Sequence, residues 1–482
     1  MRTPAQVTLV WLRQDLRLAD HPALAAAQQR GGVVLPIFIH APEEAAPWSP
    51  GGASRWWLHQ SLAALDASLR EIGSKLIIRR GPTLATLQAL IQETGATAVF
   101  WNRCYEPAGT TRDTRIKSIL RDAGLTVESF NGALLHEPWT IQNQSGKPFQ
   151  VFTPFWKNCL TKTDPADPLP RPRKLKTPER WPQSVLLEAL QLEPKLKWAE
   201  GMRAVWQPGE AGATVQLEKF LASAFSEYTE NRNRPDLQGT SRLSPHLHFG
   251  EISPRQIWHG LRRHGEAKGL ATWRSSQFLT ELGWREFAYH LLHHFPNTPT
   301  EPLRENFKSF PWRKDAEFLK AWQLGQTGYP IVDAGMRELW TTGWMHNRVR
   351  MIVASFLVKD LLLSWREGAA WFWDTLVDAD LAQNTLGWQW TAGCGADAAP
   401  YFRVFNPVSQ GEKFDPRGDY VRRWCPELAR LPDDWLQQPH KAPPEILARA
   451  GVELGRTYPE PIVNHTIARE VALEAFAKLK GK

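Results

Sequence analysis

Over roughly the first 130 residues, short apolar runs alternate with stretches whose apolar positions recur every three or four residues. Residues 7–11, 33–39, 75–79, 98–101 and 126–130 read as strands, and 22–29, 55–72, 84–94 and 111–123 read as helices. Strands alternating with helices predict a doubly wound, Rossmann-like parallel sheet. No G-x-G-x-x-G follows the first strand, where Trp11-Leu-Arg-Gln-Asp-Leu-Arg-Leu18 stands instead. The sheet is therefore not an ordinary dinucleotide-binding half, and a cofactor is expected elsewhere. From 135 to 212 the periodicity fails, and the proline-rich basic run 164–176 reads as a surface connector. From 213 onward the pattern is helical, with stops at Gly and Pro. The expected organisation is an α/β domain over 1–134, a connector over 135–212, and an all-helical domain over 213–482.

Composition adds one unusual feature. There are 24 Trp against 7 Tyr, and ten of the indoles fall between 284 and 390 in otherwise polar sequence. A buried indole N–H needs a partner, so aliphatic residues make the simpler core. The excess points to stacking on flat rings or to moving electrons. A net charge of +8 has the sign expected for a nucleic-acid partner. The four cysteines (Cys104, Cys159, Cys394, Cys425) are scattered without metal-ligand spacing, which predicts a reducing, cytoplasmic setting with neither structural metal nor disulfides. No run is long and apolar enough to span a membrane, and no signal peptide opens the chain.

Three constellations carry candidate chemistry. Tyr228-Thr-Glu-Asn-Arg-Asn-Arg234 leads into Gly239-Thr-Ser-Arg-Leu-Ser244-Pro, where clustered hydroxyls beside Arg242 suit a phosphate cradle, or Ser244 serves as a helix cap before proline. Glu281, Trp284 and Arg285 share a helix face, as do Asn347 and Met351, with Arg348 and Arg350 flanking them. Together they would make a slot with a few placed polar groups, while each segment alone also reads as an amphipathic interface helix. Asp378-Ala-Asp380 lacks a third ligand for a metal and suits an ion pair with Arg350 or hydrogen bonds to a polar ring edge. Trp388 and Trp390, two apart, point in opposite directions and so serve different partners.

These runs resemble the photolyase/cryptochrome flavoproteins in order and spacing. The likeness is carried by Thr327-Gly-Tyr-Pro-Ile-Val-Asp-Ala-Gly-Met-Arg337, Gly343-Trp-Met-His-Asn-Arg-Val-Arg-Met351, Asp378-Ala-Asp380 and Asp397-Ala-Ala-Pro-Tyr-Phe-Arg403, and it extends over essentially the whole chain. The resemblance implies FAD in the helical domain, active as FADH−, with Tyr228, Thr240, Ser241, Arg242, Leu243 and Ser244 holding its phosphates and ribityl chain. It places Asn347, Arg350, Asp378, Ala379 and Asp380 around the flavin and Asn384 at flavin N5. Trp388, Trp365 and Trp312 match the family's electron-transfer chain. Trp284 and Trp390 match the pair that stacks on a lesion, Glu281 and Asn347 the groups that hydrogen-bond its pyrimidines, and Met351 a packing contact. Arg232, Arg285, Arg348, Arg403 and Gln410 are the further DNA-binding candidates.

Asn347 and Met351 replace the segment with a catalytic His found in relatives that repair the (6-4) photoproduct, which points to cyclobutane pyrimidine dimers. The expected function is then a light-dependent lyase on ultraviolet-damaged DNA, acting as a monomer in the cytoplasm. Photolyases extrude the damaged bases from the duplex. A second, antenna chromophore is expected in the α/β domain, methenyltetrahydrofolate rather than a deazaflavin, with Glu43 as a candidate contact. The rival expectation is a cryptochrome-type blue-light receptor. Asn384, the pocket residues and a chain ending at Lys482 without a long disordered tail count against it.

Overall fold

A computed structural model describes residues 6–398 and 402–480. Positions 399–401 of the Asp397–Arg403 motif lie outside these. Five parallel strands form one sheet in the order β3-β2-β1-β4-β5: β1 Val7–Leu12, β2 Val33–His40, β3 Ile77–Arg80, β4 Ala98–Asn102 and β5 Thr126–Phe130. β1 pairs with β2 from Val7↔Val33 and with β4 from Thr8↔Ala98, so strand order reverses at β1. Every residue of β2 and β4 is buried, as a parallel sheet covered on both faces requires. The helices α1 Pro22–Arg30, α2 Gly52–Glu71, α3 Thr83–Thr94 and α4 Pro107–Asp122 fall where the pattern put them. α4 starts earlier than the apolar spacing indicated because Pro107 is favoured in a first helical turn.

Packing divides the chain differently from its pattern. One compact unit comprises 1–199, 206–223 and 241–296; the other comprises 200–205, 224–240 and 297–482. Helices from 210 onward join the sheet-bearing unit through specific bonds. Glu210 takes the N–H groups of Leu18 and Ala19 at 2.9 and 2.8 Å. Glu286 takes those of Leu135 and His136 at 2.9 and 3.2 Å. The connector also holds a helix that the sequence reading missed, α5 Phe152–Leu160, built on the apolar face of Phe152, Phe155, Trp156 and Cys159.

The second unit is helical. Its helices are bounded by local chemistry: Gly343 at φ 67° closes Pro330–Thr342, and His346 caps Asn347–Ser355. Asp380 caps Leu381–Ala392 by accepting from Gln383 N at 3.0 Å. The conspicuous Thr327–Arg337 motif is structural. Buried Asp333 accepts from the N–H and hydroxyl of Thr327, from Gly328 N and from Tyr458 Oη, pinning a turn in which a Cβ at Gly328 would lie 2.4 Å from Glu460 backbone. Trp322 is likewise core: fully buried, it donates to Val353 O at 3.0 Å. Part of the tryptophan excess is therefore packing with a partnered N–H, as it is for Trp57, which donates to Glu251 at 3.0 Å. Among the described residues no helix is long and apolar enough to cross a membrane, and no acid, His or Cys cluster suits a metal.

Candidate functional site

The site residues of the first unit lie on the helix Gln277–His294 and on the turn before Ser244–His248. Ser276 caps the former by accepting from Leu279 N. Glu281, half-buried, accepts from Gln277 Nε2 at 2.8 Å. Trp284 is half-buried one turn on. Arg285 does not share their outlook, and the DNA-contact role expected for it is corrected here. It is buried, donates to Ala133 O at 2.8 Å and lies over the Tyr289 ring at 4.9 Å, so its charge is spent inside the unit. Beside it the buried Glu286 carboxyl is pushed up to about 7 by desolvation, against the pull of Arg285 and two backbone N–H groups. Nothing in the sequence pattern marked this acid.

Arg242 stands at φ 52° with its guanidinium 4.4 Å over the ring of Trp206, and Ser241 O accepts from Gln216 Nε2 at 2.7 Å. Leu243 occupies the cap position of Ser244–His248 and no side chain caps that helix, so the capping alternative for Ser244 does not hold. Of the antenna candidates, Glu43 is exposed. Its neighbour Glu44 is the built-in acid, accepting from Thr83 N at 2.7 Å and from the Thr83 hydroxyl at 2.5 Å. At the β1/β4 reversal Arg13 bonds to Asp113 and to Asn102 O, and Asn102 reaches Asp15 at 2.9 Å.

In the second unit, Tyr228 is buried in the short helix Tyr228–Asn231, and Thr240 is half-buried. The ion pair of Arg350 with Asp378 is present, at 2.8 and 3.1 Å, and Arg350 Nε also donates to Met345 O at 2.7 Å. Ala379 is buried in the loop between Asp378 and Asp380. Asn384 donates its amide to Ala369 O at 3.0 Å, which fixes how the side chain is turned. One turn along, a Cβ at Gly387 would meet nothing within 4 Å, so this face of the helix is open. Buried carboxylates, a guanidinium and an oriented amide around one helix start form a donor and acceptor set that fits a polar flavin ring edge and its ribityl hydroxyls.

Trp388 and Trp365 are buried and Trp312 is half-buried. Trp388 packs against Phe372 at 5.0 Å and Trp322 at 6.2 Å, and a Cβ on Gly368 would stand 2.0 Å from its ring. Trp390 lies instead on the wall of a small cavity of about 20 Å³ shared with Ser355, Lys359, Thr391, Phe402 and Arg403. The two indoles thus serve different surroundings, as their spacing required. Asn347 is exposed at the first turn of its helix and Met351 packs at the edge of the core. Arg348 donates to Asn233 at 2.8 Å. Its pKa is lowered first by burial and then by repulsion from Arg232 and Arg403, which places three like charges together. Gln410 is half-buried on Pro407–Phe414.

Two buried histidines make the protein acid-sensitive. Burial holds His290 down to about 4 in the first unit. In the second, burial and then the charges of Arg348 and Arg350 hold His346 down to about 3. Both values lie below the unfolded value of about 6.5, so protons favour the unfolded chain. Stability is full above that pH and falls as pH drops towards the folded-state values, by about 1.4 kcal/mol per pH unit for each histidine. Urea midpoints measured down from neutral pH should therefore fall before the carboxylates titrate, and His346→Gln should flatten the decline.

A parallel α/β unit and a helical unit agree with what the comparisons show. Residues 8–173 match the family model described as DNA photolyase, and 278–478 match the FAD binding domain of DNA photolyase. The chain belongs to the photolyase/cryptochrome family, and its cofactor is FAD. Within that family it is 52% identical to a deoxyribodipyrimidine photo-lyase of Agrobacterium fabrum, over 98% of both chains. A crystal structure of a bacterial class III photolyase from Agrobacterium tumefaciens superposes with a TM-score of 0.96 at 50% identity, covering 100% of this chain and 99% of that one. Cryptochrome-1 of Arabidopsis thaliana is 43% identical over 98% of this chain and 70% of its own.

Proposed function

We propose that this chain is a light-dependent DNA repair enzyme that takes a cyclobutane pyrimidine dimer out of the duplex and opens its ring. What carries the reading is 52% identity, over 98% of both chains, to a deoxyribodipyrimidine photo-lyase, and the grouping of Arg232 and Arg403 about Arg348 supports a phosphate grip. Like charges held together cost energy in the free protein, and phosphates relieve that cost. Arg348→Ala should weaken binding to damaged and undamaged DNA alike and lower the slope of log affinity against log salt by about 1. An unchanged slope in a titration over several salt concentrations would remove Arg348 from the phosphate grip.

The remaining roles follow from residue chemistry. Trp284 and Trp390 offer the aromatic faces on which the extruded bases stack, and Glu281 and Asn347 hydrogen-bond their edges. Met351 packs beside them, and Gln410 adds a polar DNA contact. FAD is held by Tyr228, Thr240, Ser241, Arg242, Leu243, Ser244, Asn347, Arg350, Asp378, Ala379, Asp380 and Asn384. When bound, reduced and excited by blue light, it supplies the electron that opens the cyclobutane ring. Asn384, with its N–H committed to Ala369, turns its carbonyl as the acceptor for the flavin N–H without adding a charge. Trp312, Trp365 and Trp388 carry electrons from the surface inward to restore the reduced cofactor.

The antenna is read as methenyltetrahydrofolate rather than a deazaflavin. At the strand reversal, where an α/β sheet usually takes a flat ligand, Arg13 and Asn102 are committed to one another and to Asp113, which counts against a chromophore there. Near-ultraviolet absorption of the purified protein distinguishes the two pigments.

Identity to cryptochromes over nearly the whole chain favours a second reading, a blue-light receptor. The purified reduced protein, illuminated on an oligonucleotide carrying one thymine dimer with a dark control, separates them. Recovery of thymine absorbance in light alone supports repair, and its absence with reduced flavin bound supports the receptor.

A further inference from the structure

One ring contact of the first unit is used by neither fold nor function so far. The phenyl of Phe152 and the indole of Trp284 stack with centroids 3.8 Å apart and planes 9° from parallel. Local sequence arranges this. Phe152 and Trp156, four apart, share a face of α5. Gly283, immediately before Trp284, lets that face settle on the helix Gln277–His294, since a Cβ there would lie 2.6 Å from the Trp156 ring. The approach is locked from the far side, where Phe155 meets Phe287 at 5.1 Å and His290 at 5.0 Å. Phe287 in turn sets its edge to Trp284 at 5.8 Å and 75°. Phe152 is 7% exposed, whereas Trp284 keeps intermediate exposure. One face of the indole is therefore covered, and its plane is set by a ring lying flat against it.

We propose that Phe152 is a positioning residue for lesion binding: it holds Trp284 in a fixed plane, as the inner layer of a stack whose outer layer is a flipped pyrimidine. The inference rests on reading Trp284 as a base-stacking residue. A half-exposed indole without such a backing would sample several rotamers, and ordering it would subtract from affinity when the base arrives. Backed by Phe152, the ordering is done on folding. Offset-parallel stacking also extends the flat polarisable surface beneath the base.

The test is Phe152→Leu, which keeps apolar volume and removes the flat face, assayed with FAD bound on a duplex containing one thymine dimer and on the undamaged duplex. Affinity for the lesion should fall about tenfold, within what one stacked base contributes. Affinity for undamaged duplex, flavin content and repair per photon at saturating lesion should stay at wild-type values. Phe152→Tyr should restore lesion affinity. In a Trp284→Ala background Phe152→Leu should change nothing further, because the ring it orients is gone. Lesion affinity within twofold of wild type, equal losses on both duplexes, or no restoration by tyrosine would overturn the proposal. If the leucine variant does not fold, Phe152→Met takes its place under the same criteria. Wild-type protein that neither prefers nor repairs the dimer would overturn the function itself. Wild-type repair with an indifferent Phe152→Leu would overturn this inference alone.

Discussion

Trp388→Phe is expected to abolish light-driven reduction of oxidised FAD while leaving repair by chemically reduced protein near wild type. Trp388 is 2% exposed in a nest of Phe372, Trp322 and Gly368, Trp365 is buried, and Trp312 reaches partial exposure. Phenyl is far harder to oxidise than indole, so the substitution breaks the inner link of such a series without introducing a polar atom. The lost ring volume opens a small cavity beside Gly368 and costs about 2 kcal/mol, which the core absorbs. Steady illumination with a sacrificial donor, read at the oxidised-flavin band, measures the first effect, and repair after dithionite reduction measures the second. Loss of both would mean that the indole holds the site in shape. Survival of photoreduction would direct attention to Trp322, whose ring lies 6.2 Å from that of Trp388.

Arg350→Met should have the larger effect on stability. The Asp378 carboxylate has 3% of its side chain exposed and depends on Arg350 for charge balance, while the guanidinium retains 23% exposure. Removing the cation takes from a buried carboxylate its ion-pair partner at 2.8 Å, which costs about 3 kcal/mol once partial solvation of the arginine is allowed for. The carbonyl of Met345 loses its donor as well. Urea unfolding should show the drop, and retained flavin should fall with it, because Asp378 and Asp380 begin the helix that carries Asn384. Adding Asp378→Asn to Arg350→Met should recover much of the loss, since a neutral amide no longer demands a counter-charge. No recovery would mean that Arg350 acts mainly by packing.

The sheet was legible because each strand is a short apolar run and each helix a 3.6-residue pattern, which are local properties. The Arg350–Asp378 pair and the divergence of Trp388 from Trp390 were equally readable, one from charge and one from spacing. Arg285 misled because helical spacing gives a residue's angle about its axis but not what covers that angle. Here the Ala133 carbonyl and the Tyr289 ring do so, from segments distant in sequence or one turn along. α5 was missed because nine residues with two phenyls and one indole look irregular until the helix they rest against is known. Glu286 and Phe152 were invisible for the same reason, since burial by a remote segment leaves no periodic trace.

The sheet-bearing unit cannot be finished when its last strand has been made. Glu210 and Glu286, which tie up backbone N–H groups at Leu18, Ala19, Leu135 and His136, come later in the chain. A nascent chain whose first 136 residues have left the ribosome therefore still carries these amides without their native acceptors, and it completes the unit only after residue 296 emerges. Of the second unit only 200–205 and 224–240 precede residue 296, and the rest of it follows. Fragments cut at the apparent end of the α/β pattern would fold poorly for the same reason, whereas a fragment reaching the end of the Gln277–His294 helix carries both of these carboxylates.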